Sequence, residues 1–184
     1  MSSMHAALLR GIERMLTRLR PRRLPSVSPP VTFTDKAGRE IGIRAYRETD
    51  YEALVAMYDE FDSSHRAQGI PPLGESAVRS WLEQILGGPD VLALHGSRVV
   101  GHASFVPDGE TGHELAVFVH QDYQNAGVGS HLLAAGLDHA REESVPRVWL
   151  TVERRNRRAK RLYRRAGFST VDPQGTVQRM SRLL

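Results

Sequence analysis

Residues 113–129 read His-Glu-Leu-Ala-Val-Phe-Val-His-Gln-Asp-Tyr-Gln-Asn-Ala-Gly-Val-Gly, and this stretch decides the fold. Its first seven residues are largely apolar, which predicts a buried β-strand. After Gly127 and Gly129, apolar residues recur every three or four positions up to Ala140, which predicts a helix. A strand, a glycine turn and a helix in this order indicate the βαβ centre of a mixed α/β sheet.

The glycine turn also predicts a phosphate site. Glycine lets the backbone approach a ligand closely, and the first turn of a helix offers unpaired N–H groups at the positive end of its dipole. The alternative is that the glycines only make the turn. The turn is not a P-loop, because no Lys-Ser/Thr pair follows Gly129, and it does not complete the dinucleotide fingerprint, because Leu132 replaces the third glycine.

The flanking sequence predicts the remaining elements. A hairpin is expected over 31–34 and 41–46, and Asp50 is a candidate cap for the helix that follows. Further elements are a helix over 75–86, strands over 91–94, 99–106 and 148–152, a helix over 157–166, and a closing hairpin across 172–175. The predicted order is β-β-α-α-β-β-β-α-β-α-β-β. It describes an α/β protein with a mixed, mostly antiparallel central sheet and flanking helices.

The charge divides the chain of 184 residues into regions. Residues 1–30 carry six arginines and one glutamate, a net charge of +5, and end in four prolines. We interpret them as a basic N-terminal tail and Pro-rich linker, and residues 31–184 as one domain. Helical spacing in the tail fits a membrane-surface helix, a partner helix or a targeting peptide, and the alternative is a weakly docked tail. Residues 31–140 carry seven basic and 16 acidic side chains, a net charge of −9.

Composition excludes several function classes. The chain has no cysteine, so it forms no disulfide, and no apolar run is long enough for a stable membrane span. The histidines lack metal-ligand spacing, so we expect no metal. Residues 141–165 carry ten basic and three acidic side chains but few aromatics, which argues against nucleic-acid binding. We expect a cytoplasmic protein, with a homodimer as one option for its assembly.

The stretch 113–168 resembles the GNAT superfamily of N-acetyltransferases. The phosphate motif of that family, Gln/Arg-x-x-Gly-x-Gly/Ala, is matched by Gln124, Gly127 and Gly129. Its downstream signature is a strand followed by an Asn, a small residue, a Tyr and a Gly-Phe pair. The matching residues are Leu150, Val152, Asn156, Ala159, Leu162, Tyr163, Gly167 and Phe168.

The resemblance implies an acetyl-CoA-dependent enzyme. It would move the acetyl group to a primary amine, of a protein lysine or N-terminus or of a small molecule, by direct attack in a ternary complex. The alternative is a non-catalytic acyl-CoA-binding regulatory module with the same fold. The residues that the resemblance assigns to the cofactor are Val117, Phe118 and Val119 along the pantetheine arm, Gln124, Asn125, Ala126, Gly127, Val128, Gly129 and Ser130 around the pyrophosphate, and Asn156 and Arg158.

The family pattern also suggests catalytic residues. Tyr163 is the candidate acid for the departing thiolate, although its helical spacing also fits a core residue. The base is either His113 or Glu114, whose side chains point to opposite faces of the strand, or a chain of water molecules. Other members have a Glu where this chain has Thr151. The loop containing His65, Arg66, Gln68 and Pro71-Pro72 is where the family shapes its acceptor pocket.

Overall fold

The computed structural model describes residues 23–62, 70–172 and 176–184. The expected helix in the tail therefore lies outside the described residues, as do His65, Arg66 and Gln68. The strands are β1 Val31–Thr34, β2 Glu40–Ala45, β3 Val91–His95, β4 Arg98–Pro107, β5 His113–Val119, β6 Arg147–Glu153, β7 Ser169–Asp172 and β8 Val177–Leu183. The α-helices are α1 Tyr51–Asp59, α2 Glu75–Ile85, α3 Val128–Glu142 and α4 Arg157–Arg165.

The strands form one sheet in the order β1-β2-β3-β4-β5-β6-β8-β7. All neighbours are antiparallel except β5 and β6, which are parallel and joined through α3. This confirms the expected mixed, mostly antiparallel α/β architecture and the expected order of elements.

Helices cover both faces of the sheet. On the α3 face, Phe105, Leu132 and Leu150 are buried in one core. Gly136 of α3 lies directly over Phe105, where an added Cβ would come within 3.0 Å of the ring, so a side chain there would force the helix off the sheet. On the opposite face, α1 and α2 pack their own core around Tyr58 and Leu82.

The α1 helix begins differently from the expectation. Asp50 occupies the N-cap position, but its carboxylate makes no cap hydrogen bond to α1. It accepts instead from both Nη atoms of Arg44 at 2.6 and 2.7 Å and from the backbone N–H of Arg47 at 2.9 Å. A guanidinium offers a stronger, charge-assisted pair of bonds than a helix amide, so Asp50 ties the entry of α1 to β2.

A buried polar chain fixes α1 on the sheet. The Tyr58 hydroxyl lies 2.8 Å from His102 Nδ1, and His102 Nε2 lies 3.1 Å from Asp90 Oδ1. All three side chains are buried. Each polar group needs its partner because an unsatisfied one would cost free energy in this apolar setting.

The β5–β6 pair opens along its length. Pairing is confined to His113 with Val148 and Glu114 with Trp149. We call the unpaired remainder, residues 115–119 of β5 opposite residues 150–153 of β6, the β5–β6 opening. Within β5 only Leu115 is buried, so the expected buried strand is half-exposed because one edge has no partner.

The end of the Pro-rich segment packs on the domain. The Leu24 N–H donates to the Arg165 carbonyl at 3.0 Å. The Ser26 hydroxyl and the Val27 N–H both donate to Asp138 Oδ2 at 2.5 Å. This part of the segment is therefore held against α3 and the end of α4. Among the described residues, no helix is long and apolar enough to cross a membrane.

Candidate functional site

The glycine loop joins the end of β5 to α3. Asn125 has a φ of 63° and Gly127 a φ of 99°, so the chain turns twice through the left-handed region within three residues. Gly127 is the N-cap residue of α3. Such a φ is easy for glycine and strained for a residue with a Cβ, which is why this position takes glycine.

The loop presents a row of backbone donors. Within the described part of the chain, the N–H groups of residues 125–129 donate to no protein acceptor, whereas Gln124 and Ser130 donate to Gln121 and Gly127. Unpaired amides at the start of a helix, with the helix dipole behind them, favour a negatively charged group. The loop therefore has the arrangement needed to bind phosphate oxygens.

Neighbouring elements hold the loop in shape. The Gln124 side-chain amide donates to the Val119 carbonyl at 3.0 Å, which ties the loop to the end of β5. The Lys36 N–H in the β1–β2 turn donates to the Ala126 carbonyl at 3.0 Å. His131 of α3 stacks on Phe33 of β1, with ring centroids 3.8 Å apart. The first hairpin thus supports the loop, a role that the sequence analysis did not assign to it.

The first turn of α4 lies beside the same loop. The Asn156 side-chain oxygen accepts from the Ala159 N–H at 3.0 Å, so Asn156 caps α4 and its amide nitrogen stays available. Arg158 donates a hydrogen bond to the Asn125 side-chain oxygen. The structure therefore brings Arg158 to the glycine loop, with Asn156 at the start of the same helix.

Val117, Phe118 and Val119 lie along the β5–β6 opening. Their unpaired edge can take an extended ligand as an additional strand would be taken. Phe118 also packs edge-on against Tyr58 and Trp81, with ring centroids 5.4 and 5.6 Å away. This packing fixes the strand from the α1 and α2 side.

Tyr163 projects from the middle of α4. It packs with the α3-side core and lies edge-on to Phe168, with ring centroids 5.9 Å apart. Burial raises the pKa of its phenol to about 12. The phenol therefore stays protonated at neutral pH, as a proton donor must.

His113 and Glu114 lie at the last paired position before the opening, on opposite faces of the sheet. His113 lines a cavity of about 400 Å³ with Pro89, His139 and Glu143, at the C-terminal end of α3. Its Nδ1 is buried and has no hydrogen-bond partner among the described residues.

Glu114 lies on the α1 and α2 face, opposite Trp149. Burial raises the pKa of its carboxyl, and the positive charge of Arg179 opposes that rise. Arg179 lies over the Trp149 ring, with its guanidinium carbon 3.8 Å from the centroid. The Trp149 indole N–H donates to Asp108 at 2.9 Å. The sequence analysis did not single out Trp149 or Arg179, which reach this face only through strand pairing.

A family model matches residues 52–168, and its description is the acetyltransferase (GNAT) family. The chain belongs to the GNAT family. The matched region contains the β5–β6 opening, the glycine loop and Tyr163.

Curated relatives agree with the family. The chain is 36% identical over 178 residues to a mycothiol acetyltransferase of Thermobifida fusca, covering 86% of this chain and 55% of that protein. It is also 36% identical over 175 residues to a mycothiol acetyltransferase of a Nocardioides species, covering 85% and 58%. The chain thus spans about half the length of the curated relatives it matches.

Solved GNAT structures share the fold. The GNAT domain of the Streptomyces lividans protein PAT superposes with a TM-score of 0.70 at 18% identity, covering 84% of this chain and 96% of that one. A structure of yncA from Salmonella typhimurium with its cofactor acetyl-CoA has a TM-score of 0.61 at 24% identity, covering 78% and 94%.

Proposed function

We propose that the protein transfers the acetyl group of acetyl-CoA to the primary amine of a small molecule, by direct attack in a ternary complex. The observation that carries the proposal is the β5–β6 opening, which leads to a glycine loop with five N–H groups that have no acceptor among the described residues. An extended arm can lie in the opening while a pyrophosphate binds at the loop. GNAT membership and the mycothiol acetyltransferase relatives support this donor.

Different residues fit different parts of coenzyme A. The amides of residues 125–129 suit the pyrophosphate, and the open edge of β5 suits the amide groups of the pantetheine arm. The Asn156 side-chain amide would donate to the same arm. Arg158, whose hydrogen bond to Asn125 fixes it at the loop, suits a further phosphate.

Two groups fit the proton transfers. An alkyl amine has a pKa of about 10 and must lose a proton before its nitrogen attacks the thioester carbonyl. Glu114, half-buried where the opening begins, would take that proton, directly or through water. Collapse of the tetrahedral intermediate forms the amide and breaks the carbon–sulfur bond. Tyr163 would then give its proton to the departing thiolate.

His113 stays an alternative base. Its position favours it less, because it faces a cavity at the end of α3 and not the face that carries Glu114 and Trp149. The proposed acid, Tyr163, lies on the α3 side of the sheet, and the proposed base, Glu114, lies on the other side. The two groups would therefore reach a thioester in the opening from different directions.

A small amine is the acceptor that the relatives favour, because those relatives are named for mycothiol. Arg179 and Trp149 lie on the same face as Glu114, so they would contact the acceptor. A cytoplasmic location is part of the proposal, since a chain without cysteine folds equally well in a reducing compartment. Homodimer formation stays a prediction.

The test is release of coenzyme A thiol from acetyl-CoA in the presence of a panel of small amines, with a lysine peptide as the protein-like acceptor. We expect turnover with small amines, identified by the mass of the acetylated product, and little with the peptide. The Tyr163→Phe variant is the matched control. Acetyl-CoA binding without turnover of any amine would favour a regulatory acyl-CoA-binding module instead.

A further inference from the structure

A second cavity lies away from the glycine loop. It has a volume of about 640 Å³, is open to solvent on one side, and is lined by the segment 23–26, the C-terminal half of α3, the turn after α4 and strand β8. The α3 helix is 15 residues long, so the two ends of that helix are about 20 Å apart. The cavity is therefore separate from the expected acetyl-CoA site, which begins at the other end of α3.

The charged residues that line this cavity are strongly unbalanced. Among the described residues they are four arginines, Arg23, Arg141, Arg165 and Arg182, and one aspartate, Asp138. We call them the arginine cavity. Guanidinium groups gathered around a space of small-molecule size favour an anion there.

Asp138 already accepts hydrogen bonds from three donors. Its Oδ1 accepts from Arg141, and its Oδ2 accepts from the Ser26 hydroxyl and the Val27 N–H. Asp138 is buried, and its hydrogen bonds to Ser26 and Val27 hold the segment 24–27 in place.

Arg182 is held in a position where burial and neighbouring positive charges disfavour its own positive charge. Its Nη1 donates to the Ala166 carbonyl at 2.5 Å, and its side chain lies 3.5 Å from where a Cβ of Gly167 would stand. Burial and repulsion by Arg141 lower the pKa of Arg182. Repulsion by Arg23 lowers this pKa further, whereas the negative charge of Asp138 raises it. Within the described part of the chain, neither Arg23 nor Arg182 forms an ion pair with a carboxylate.

We propose that the arginine cavity binds a small organic anion with two or more negative charges, such as a polyphosphate or a polycarboxylate. Planar guanidinium groups bind phosphate and carboxylate oxygens in pairs, which suits both sources. The volume exceeds what a single chloride or sulfate needs and is within the range of small-molecule sites. The anion would join the segment 23–26 to the end of α4, a few residues beyond Tyr163.

The test is calorimetry with inorganic pyrophosphate in one arm and citrate in the other, each with and without saturating coenzyme A. Pyrophosphate bound at the glycine loop disappears when coenzyme A is present, whereas binding in the arginine cavity remains. Tighter binding of pyrophosphate identifies a polyphosphate ligand, and tighter binding of citrate identifies a polycarboxylate. Absence of saturable binding of both anions in the presence of coenzyme A overturns the proposal.

Three variants locate the binding. Arg23→Gln and Arg182→Gln should each lower the affinity for the anion by about tenfold or more, because each removes a charge-assisted contact. Arg161→Gln removes the same charge from an exposed position of α4 outside the cavity and should leave binding unchanged. Arg182→Gln removes the hydrogen bond to the Ala166 carbonyl and could prevent folding. Arg23 is exposed, so Arg23→Gln should fold and keeps the test valid in that case. Equal weakening by Arg161→Gln would show a general charge effect and contradict the assignment.

Discussion

The two ends of the β5–β6 pair behave differently. At the closed end, His113 and Glu114 pair with Val148 and Trp149, and Asp108 accepts from the Trp149 indole. At the open end, the apolar residues 115–119 of β5 have no pairing partners on β6. The closed end stabilises the sheet, and the open end leaves backbone groups available for a ligand. The difference shows that the site arises because the pairing of β5 with β6 ends after Glu114. No special residue type marks the opening.

The largest effect is expected at the open end. The change Gly127→Glu places a carboxylate beside the unpaired amides of the loop, where like charges disfavour a pyrophosphate by several kcal/mol. Binding of acetyl-CoA, measured by calorimetry, should fall by about 10⁴-fold or more. Gly127→Ala is the control for backbone strain at a φ of 99°, and it should cost about 1 kcal/mol of stability while retaining most binding. Equal loss in both variants would assign the effect to strain.

The next effect concerns the chemistry between the two ends. Tyr163→Phe removes the proposed proton donor but keeps the ring against Phe168. The kcat should fall by about 10² to 10⁴, with the Kd of acetyl-CoA unchanged. Because the pKa of Tyr163 is about 12, the wild type should lose no activity through this group below about pH 10. A fully active Phe variant would show that Tyr163 is only a core residue.

A smaller effect separates the two candidate bases at the closed end. Glu114→Gln should lower kcat/KM at neutral pH by about 10²-fold, whereas His113→Asn should change it little. The pKa of Glu114 is raised above its ordinary value of 4.5, so the wild-type kcat/KM should fall as the pH drops through that raised pKa. The Gln variant should lack this acidic limb in a pH profile. The opposite pattern would identify His113 as the base.

The smallest effect is on stability alone. A hydrogen bond from Trp149, opposed by burial and aided by the N–H groups of Glu110 and Gly112 and the charge of Arg147, lowers the pKa of Asp108. Its ionised form therefore stabilises the fold above the unfolded pKa, and this contribution is lost as the pH falls through the lower folded pKa. Asp108→Asn should lower the Tm at neutral pH and converge with the wild type in acid, as followed by thermal melts. A change in acetyl-CoA affinity in this variant would mean that the two ends are coupled.

Much of the fold was predictable because apolar periodicity reports elements directly. The helix after Gly127 and the strand from His113 follow from their patterns, and the glycines mark the loop. The opening was not predictable, since Leu115 to Val119 read the same with or without a partner strand. Support from Lys36 was hidden as well, because it acts through a backbone N–H that any residue except proline provides. The faces of His113 and Glu114 were known to differ, but which face meets Trp149 depends on the register of β6.

Hydrogen exchange on β5 and the glycine loop tests the central claim most directly. Peptides that cover 115–119 and 124–130 would be followed by mass spectrometry with and without acetyl-CoA. We expect added protection in both peptides, because the ligand would pair with the open edge and the loop amides, and no change at 113–114, which are already paired. Acetyl-CoA that leaves both peptides unprotected, or that protects only residues outside them, would contradict the assignment of the β5–β6 opening as the donor site.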